Sequence, residues 1–277
     1  ASDTAGADWF LTLLGIARYD GTAWNLFTKS DIGTSGDVYC LAVDTDNTIW
    51  SASIDGPVSY NGEAWKIYRD ECASMGSINS LLVDGRNIKW FGMEQGLTSF
   101  DGNAWTQYRT KIIGINGGMQ ILGMDRENVL WMKITGSKTK GVVSFDGDTW
   151  NLYTADNSLI VNAPSQFAID HDNVKWFGMH PPGVVSFDGS EWRSYSREDG
   201  LAMTYIKDIE VDHDNVKWFC DGYGHSVVSS GVTSFDGRTW KNYTTNDGLE
   251  ANGVNDIAVD RNNVKWFATY IGGVSSF

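Results

Sequence analysis

Short runs of the chain alternate apolar and polar positions with a period of two, and Asp, Asn and Gly interrupt them. This alternation predicts brief half-buried strands joined by tight turns. Val216-Lys217-Trp218-Phe219, Gly231-Val232-Thr233-Ser234-Phe235 and Thr239-Trp240-Lys241-Asn242-Tyr243 are three such strands in succession. No window sustains a 3.6-residue period, so no long helix is expected. Two turn-plus-strand anchors recur in strict alternation. The first, Asp-x-Asp-Asn followed by a strand, ends at Trp50, Trp90, Trp131, Trp176, Trp218 and Trp266 with small variations; the second, Asp-Gly-x-x-Trp or a close variant, ends at Trp24, Trp65, Trp105, Trp150, Trp192 and Trp240. Starting from Trp9, the first-anchor tryptophans are separated by 41, 40, 41, 45, 42 and 48 positions.

Each repeat resolves into four strands, A to D. Asx turn chemistry lies between A and B, and Asp-Gly between C and D, where a side-chain oxygen bonds the local backbone and Gly or Asn accepts positive φ. Four antiparallel strands at this period describe the blades of an all-β propeller, with one Trp on B and another on D filling the space between neighbours. The blades fall near residues 1–30, 38–70, 77–110, 118–155, 163–197, 205–245 and 253–277 of a single 1–277 domain. Both terminal blades are incomplete: three strands, five blades of four, and three strands make 26. Seven blades with two defective edges fit this count. The alternative is a six-bladed ring, closed by the N-terminal strand D joining the last A, B and C, or an excerpt from a longer array.

The consensus Ile/Val-Ala-Val/Ile-Asp-x-Asp-Asn-Val-Lys-Trp-Phe-Gly, then Gly-Val-x-Ser-Phe-Asp-Gly-x-x-Trp-x-x-Tyr-Thr and Asp-Gly-Leu, resembles the two-component regulator propeller repeat of bacteria. Residues 170–195 and 212–249 carry it best, and it covers nearly the whole chain. The resemblance implies the propeller, an extracellular or periplasmic setting, and a sensor that recognises oligosaccharides. It implies function less firmly than fold, because one propeller hosts many activities.

Composition narrows the partners. Thirteen Trp, eleven Tyr, twelve Phe and 31 Gly against four Pro suit strands and tight turns. A formal net charge of −14 with no Lys/Arg cluster argues against nucleic acid and against an anionic membrane surface. No apolar run approaches the roughly 18 residues of a membrane span, so no membrane insertion is expected. Cys40, Cys72 and Cys220 are too few and scattered for a disulfide framework or a zinc site, although Cys40 and Cys72 could meet at one end of neighbouring strands. Asp-x-Asp-Asn opens like a calcium loop but lacks the Gly at the sixth position and the distal Glu, and it reads as a turn. Neither metal nor cofactor is expected.

Antiparallel order places the A-B and C-D turns on one face and the B-C and D-A connections on the other. The first set is nearly invariant among the repeats, whereas the second varies and carries the insertions at 133–140 and 221–230. Variation on a constant scaffold points to the second face as the functional one. Strand A begins there around the central channel, with Tyr39, Asn79, Gln120, Gln166, Lys207, Asp208, Asn255 and Asp256 at matching positions. The B-C loops add Glu94, Gln95, His180, Tyr223, His225 and Tyr270. Polar groups beside aromatics suit a small polar ligand or an oligosaccharide; another protein is the second partner class. Glu94, Asp208, His180 and His225 could serve as acid and base of a polysaccharide lyase or hydrolase. No Ser/His/Asp order, metal-ligand spacing or phosphate loop accompanies them, which favours binding over catalysis.

Overall fold

The structure, a computed structural model, describes residues 1–181, 183–222 and 229–277. Within them lie 26 strands in seven antiparallel sheets, and no helix is longer than four residues. Sheet one has three strands, Asp8–Thr12, Gly15–Tyr19 and Trp24–Thr28. Five four-stranded sheets follow, beginning at Val38–Val43, Ile78–Val83, Gly118–Met124, Gln166–Ile169 and Asp208–Val211. The seventh sheet is Val254–Val259, Lys265–Thr269 and Gly273–Ser276. The chain is therefore an all-β propeller of seven blades. The six-bladed alternative fails because Trp24–Thr28 pairs with Gly15–Tyr19 in a sheet of its own and the last sheet keeps only three strands. Two compact units divide the chain: Ala1–Met124 with Leu130–Thr139 and Phe145–Trp150, and Asp125–Val129 with Lys140–Ser144 and Asn151–Phe277.

Turn chemistry sets the strands. In blade 6 the Asp212 Oδ1 accepts from the amides of Asp214 (3.0 Å) and Val216 (2.9 Å), while Asn215 takes φ 63°. Asparagine tolerates this left-handed conformation better than most residues, which explains the fixed Asn before strand B. At the other hairpin Asp236 Oδ1 accepts from Arg238 N (2.8 Å) and Thr239 N (2.7 Å) around Gly237, at φ 97°. Trp240 then stacks on Phe235 with ring centroids 4.3 Å apart. Both aspartates commit Oδ1 to backbone amides, as the turn reading expects.

Packing between blades repeats a single device. The strand-B Trp218 lies beside Tyr243 of its own strand D (5.4 Å) and meets Phe267 (5.8 Å) and Phe277 (5.7 Å) of the next blade. In the first unit Trp50 does the same with Tyr68, Phe91 and Phe100. Below the strand-B tryptophans at four blade boundaries, among the described residues, runs a buried polar latch. The Trp218 indole donates to Asp212 Oδ2 (2.9 Å), and Lys265 Nζ from the following blade reaches the same oxygen at 3.0 Å. Lys89–Asp44, Lys175–Asp125 and Lys217–Asp170 repeat the ion pair at 2.9, 2.9 and 3.5 Å. Turn asparagines also reach back: Asn47, Asn87 and Asn173 accept from Thr4 N, Thr45 N and Arg126 N, Asn215 Oδ1 from His171 N (2.8 Å) and Asn263 Oδ1 from His213 N (2.9 Å). Buried charges persist only when paired and hydrogen-bonded, and these are.

Candidate functional site

Blade 3 builds a cleft on the predicted face. Its B-C loop supplies Glu94 and Gln95, and the chain leaving strand D (Trp105–Arg109) supplies Arg109, Thr110, Lys111, Ile115, Asn116 and Gly117. These enclose about 320 Å³. Glycines make room for Glu94: a Cβ at Gly76 would stand 2.6 Å from its Oε2, and one at Gly118 would stand 2.8 Å from its Cα. Arg109 is fixed by donating to Gln95 Oε1 (3.0 Å) and Ser74 Oγ (2.9 Å). Thr110 Oγ1 donates to Gly117 O (2.7 Å) and closes the base of the loop. Glu94, Lys111 and Asn116 are exposed, and among the described residues no ion pair or side-chain hydrogen bond engages them. The cleft thus offers an acceptor carboxylate facing ammonium, guanidinium and amide donors. Of these residues Glu94 and Gln95 were picked out from sequence. Arg109, Lys111 and Asn116 were passed over, although their place at and after the end of strand D is the signal that marks them.

The second unit gathers carboxylates. Asp208 Oδ2 accepts from Ile257 N (2.8 Å) and its Oδ1 from Ile209 N (2.9 Å), while Asp256 lies near enough to repel it. Burial, then the Asp256 charge, pushes the Asp208 carboxyl above the usual range. Burial also raises Glu210, with Asp208 and Asp256 adding to it, and burial raises Asp221. Asp221 accepts from Ser230 N (2.8 Å) through Oδ2, and its buried Oδ1 has no partner among the described residues. A carboxyl raised by folding stabilises the fold below its unfolded value and loses that contribution as pH rises through its folded value. Glu210→Gln, which keeps the acceptor for Val211 N (3.2 Å), is therefore expected to raise the melting temperature at pH 7. Melts at pH 7 and near pH 4 should show that gain shrinking in acid.

Several sequence candidates are tied into the scaffold. Gln166 donates to the Lys207 carbonyl, and Asn79 Oδ1 accepts from Ser80 Oγ (2.8 Å), whose oxygen accepts from Ile121 N (2.8 Å). Gln120 pairs with Lys133 across the sheet. Lys207 is exposed and Asn255 half-buried; a Cβ at Gly222 would meet Lys207 Cγ at 3.0 Å and Asn255 Oδ1 at 3.1 Å. Exposed His180 meets Tyr205 edge-on at 5.5 Å, and Tyr39 and Tyr270 are 47% and 56% exposed. Tyr223 and His225 lie outside the described residues. The three cysteines are free, so Cys40 and Cys72 do not pair. Burial pushes the Cys40 and Cys72 thiols up to about 12, which keeps them protonated at neutral pH.

No family model and no curated protein matches the sequence. Solved structures do. An extracellular domain assigned to a hybrid two-component system of B. thetaiotaomicron superimposes with TM-score 0.69 at 17% identity, covering 100% of this chain and 38% of that one. A streptogramin B lyase gives 0.68 at 16%, covering 99% and 90%. YCF48 bound to D1 peptide gives 0.59 at 12%, covering 87% and 78%. The chain thus spans well under half of the two-component domain. At these identities the likeness is one of fold alone, a β-propeller common to the extracellular domain, the lyase and the peptide-bound protein.

Proposed function

We propose that this chain is the ligand-recognising propeller of an extracellular or periplasmic sensor, and that its ligand is a polar, hydroxyl-rich molecule of the oligosaccharide class. The blade 3 cleft carries this reading: about 320 Å³ flanked by uncommitted Glu94, Lys111 and Asn116 beside the fixed Arg109. Vicinal hydroxyls both donate and accept, so a carboxylate facing cationic and amide donors can hold them in one orientation. Among the described residues no aromatic side chain lines this cleft, so recognition rests on hydrogen bonds. The two-component neighbours support a sensing role and an extracellular place, and no helix among the described residues is long and apolar enough to cross a membrane. YCF48 bound to a peptide supports a protein partner as the second reading, which pull-down would test.

A glycan array should return a bound oligosaccharide, and calorimetry on that hit should show Arg109→Ala and Glu94→Ala each weakening binding by roughly tenfold to a hundredfold, as loss of a charge-assisted hydrogen bond does. Neither substitution should move the melting temperature by more than a degree or two, since both side chains lie outside the core. Unchanged affinity in both variants would remove the cleft from the proposal.

A further inference from the structure

The boundary between blades 1 and 2 departs from the polar latch at a single point. In the full latch Lys89 Nζ lies 2.9 Å from Asp44 Oδ2 and 5.4 Å from the centre of the Trp50 ring, and it donates to the Asn87 carbonyl at 2.9 Å. Lys217 repeats the three contacts with Asp170, Trp176 and Asn215 at 3.5, 5.3 and 2.8 Å. Between blades 1 and 2 the corresponding carboxylate, ring and turn are those of Asp3, Trp9 and Asn47. The Trp9 indole donates to Asp3 Oδ2 (3.0 Å), and Asn47, at φ 65°, accepts from Thr4 N (2.8 Å), so the framework is intact. Ile49, however, stands at the lysine position, and Ser51 stands where Phe91, Phe177, Phe219 and Phe267 follow their tryptophans. A cavity of about 490 Å³ lies at this boundary, with Asp3, Trp9, Asn47, Ile49 and Tyr60 among its walls. Leu130 also takes the lysine position between blades 3 and 4, but there Arg86 brings a guanidinium to Asp84 at 3.3 Å. Arg18 lies 5.7 Å over the Trp9 ring, yet it pairs with Asp20 (3.5 Å), and among the described residues no ion pair reaches Asp3.

We infer that this cavity is a binding site for an aliphatic primary ammonium, seated on Asp3 Oδ2 and the Asn47 carbonyl with its charge over the Trp9 ring. The chain's own lysines define that geometry at the other boundaries. Two of the three contacts are N–H hydrogen bonds, so the ligand must carry N–H donors, and the aromatic face adds its attraction for a cation. Trp9, Phe27 and Tyr60 wall the cavity and suit an alkyl stem, as the matching aromatics suit the lysine stem. Asp3 is half-buried where Asp44 and Asp170 are buried, which leaves its carboxylate within reach of a ligand from solvent. The site lies among A-B and C-D turns, on the face opposite the blade 3 cleft, and is independent of the oligosaccharide reading.

Titration of the full chain with n-butylammonium, which reproduces the head and stem of lysine, tests this by NMR of the nitrogen-labelled indoles. The Trp9 indole donates to Asp3 Oδ2, so its signal reports a second donor arriving at that oxygen. That signal is expected to shift saturably, while the Trp50 signal, whose boundary holds Lys89, stays in place. n-Butanol, with the same stem and no charge, should leave both unmoved. Asp3→Asn should weaken binding by about tenfold or more, as loss of a charge-assisted hydrogen bond does. Ile49→Lys supplies the ammonium within the chain and should abolish the response; should that variant lose its fold, Asp3→Asn decides alone. A Gly-Lys-Gly peptide with blocked ends separates the sources of the ammonium. Saturation by the peptide assigns the cavity to a lysine side chain of a partner, and a response to n-butylammonium alone assigns it to a free amine. The inference is overturned if n-butylammonium gives no saturable Trp9 shift, if n-butanol gives the same one, or if the affinity is unchanged in Asp3→Asn or in folded Ile49→Lys.

Discussion

Asp212→Ala is expected to cost the fold about 3–5 kcal/mol, read as a lower denaturation midpoint with an unchanged slope. The residue is 1% exposed and its carboxylate serves two turn amides, the Trp218 indole and the Lys265 ammonium. Removing it leaves a buried ammonium without its counter-charge and two amides without acceptors, the most expensive combination available at this position. Lys265→Met should cost less, because Asp212 keeps three donors, and the double variant should recover part of the loss. Burial raises the Asp212 carboxyl, but the Trp218, Val216 and Lys265 donors outweigh it and hold the group below its ordinary 3.8. A depressed carboxyl contributes stability that is present above its unfolded value and lost as pH falls through its folded one. The gap between wild type and Asp212→Asn should therefore be full at pH 7 and close below about pH 4. A loss under 1 kcal/mol in Asp212→Ala would show that the turn re-forms without its acid.

The fold was legible because it is written six times over. Trp, Asp-Gly and Asp-x-x-Asn recur at fixed spacing, each serving a local need: an interblade ring, a hairpin, a positive φ at Asn47, Asn87, Asn173, Asn215 and Asn263. Local needs repeat in sequence, so alignment of the chain with itself exposes them. The strand-B lysine was visible in the consensus, yet its partner was not, since Lys265 meets an aspartate 53 positions earlier, across a blade boundary. The site was harder for the same reason in reverse. Candidates chosen at matching strand-A positions, such as Gln166, Asp208 and Asn79, hydrogen-bond backbone groups or scaffold side chains, because matching positions do matching structural work. Arg109 and Lys111 belong to a connection that no other repeat reproduces, where self-alignment is silent and only three-dimensional proximity reveals the cleft.

Gly96→Ala should destabilise the chain by about 3 kcal/mol or more, while the same substitution at Gly273 should cost about 1 kcal/mol. Both glycines open strand C of their blade and both have positive φ, 145° and 95°. At Gly96 a Cβ would lie 2.0 Å from the Tyr108 carbonyl oxygen and 3.1 Å from the Thr110 nitrogen, all backbone that cannot swing aside. At Gly273 nothing lies within 4 Å, so the cost there is conformational alone. Equal midpoints for the two variants in chemical denaturation would mean that the clash at Gly96 relaxes at no expense.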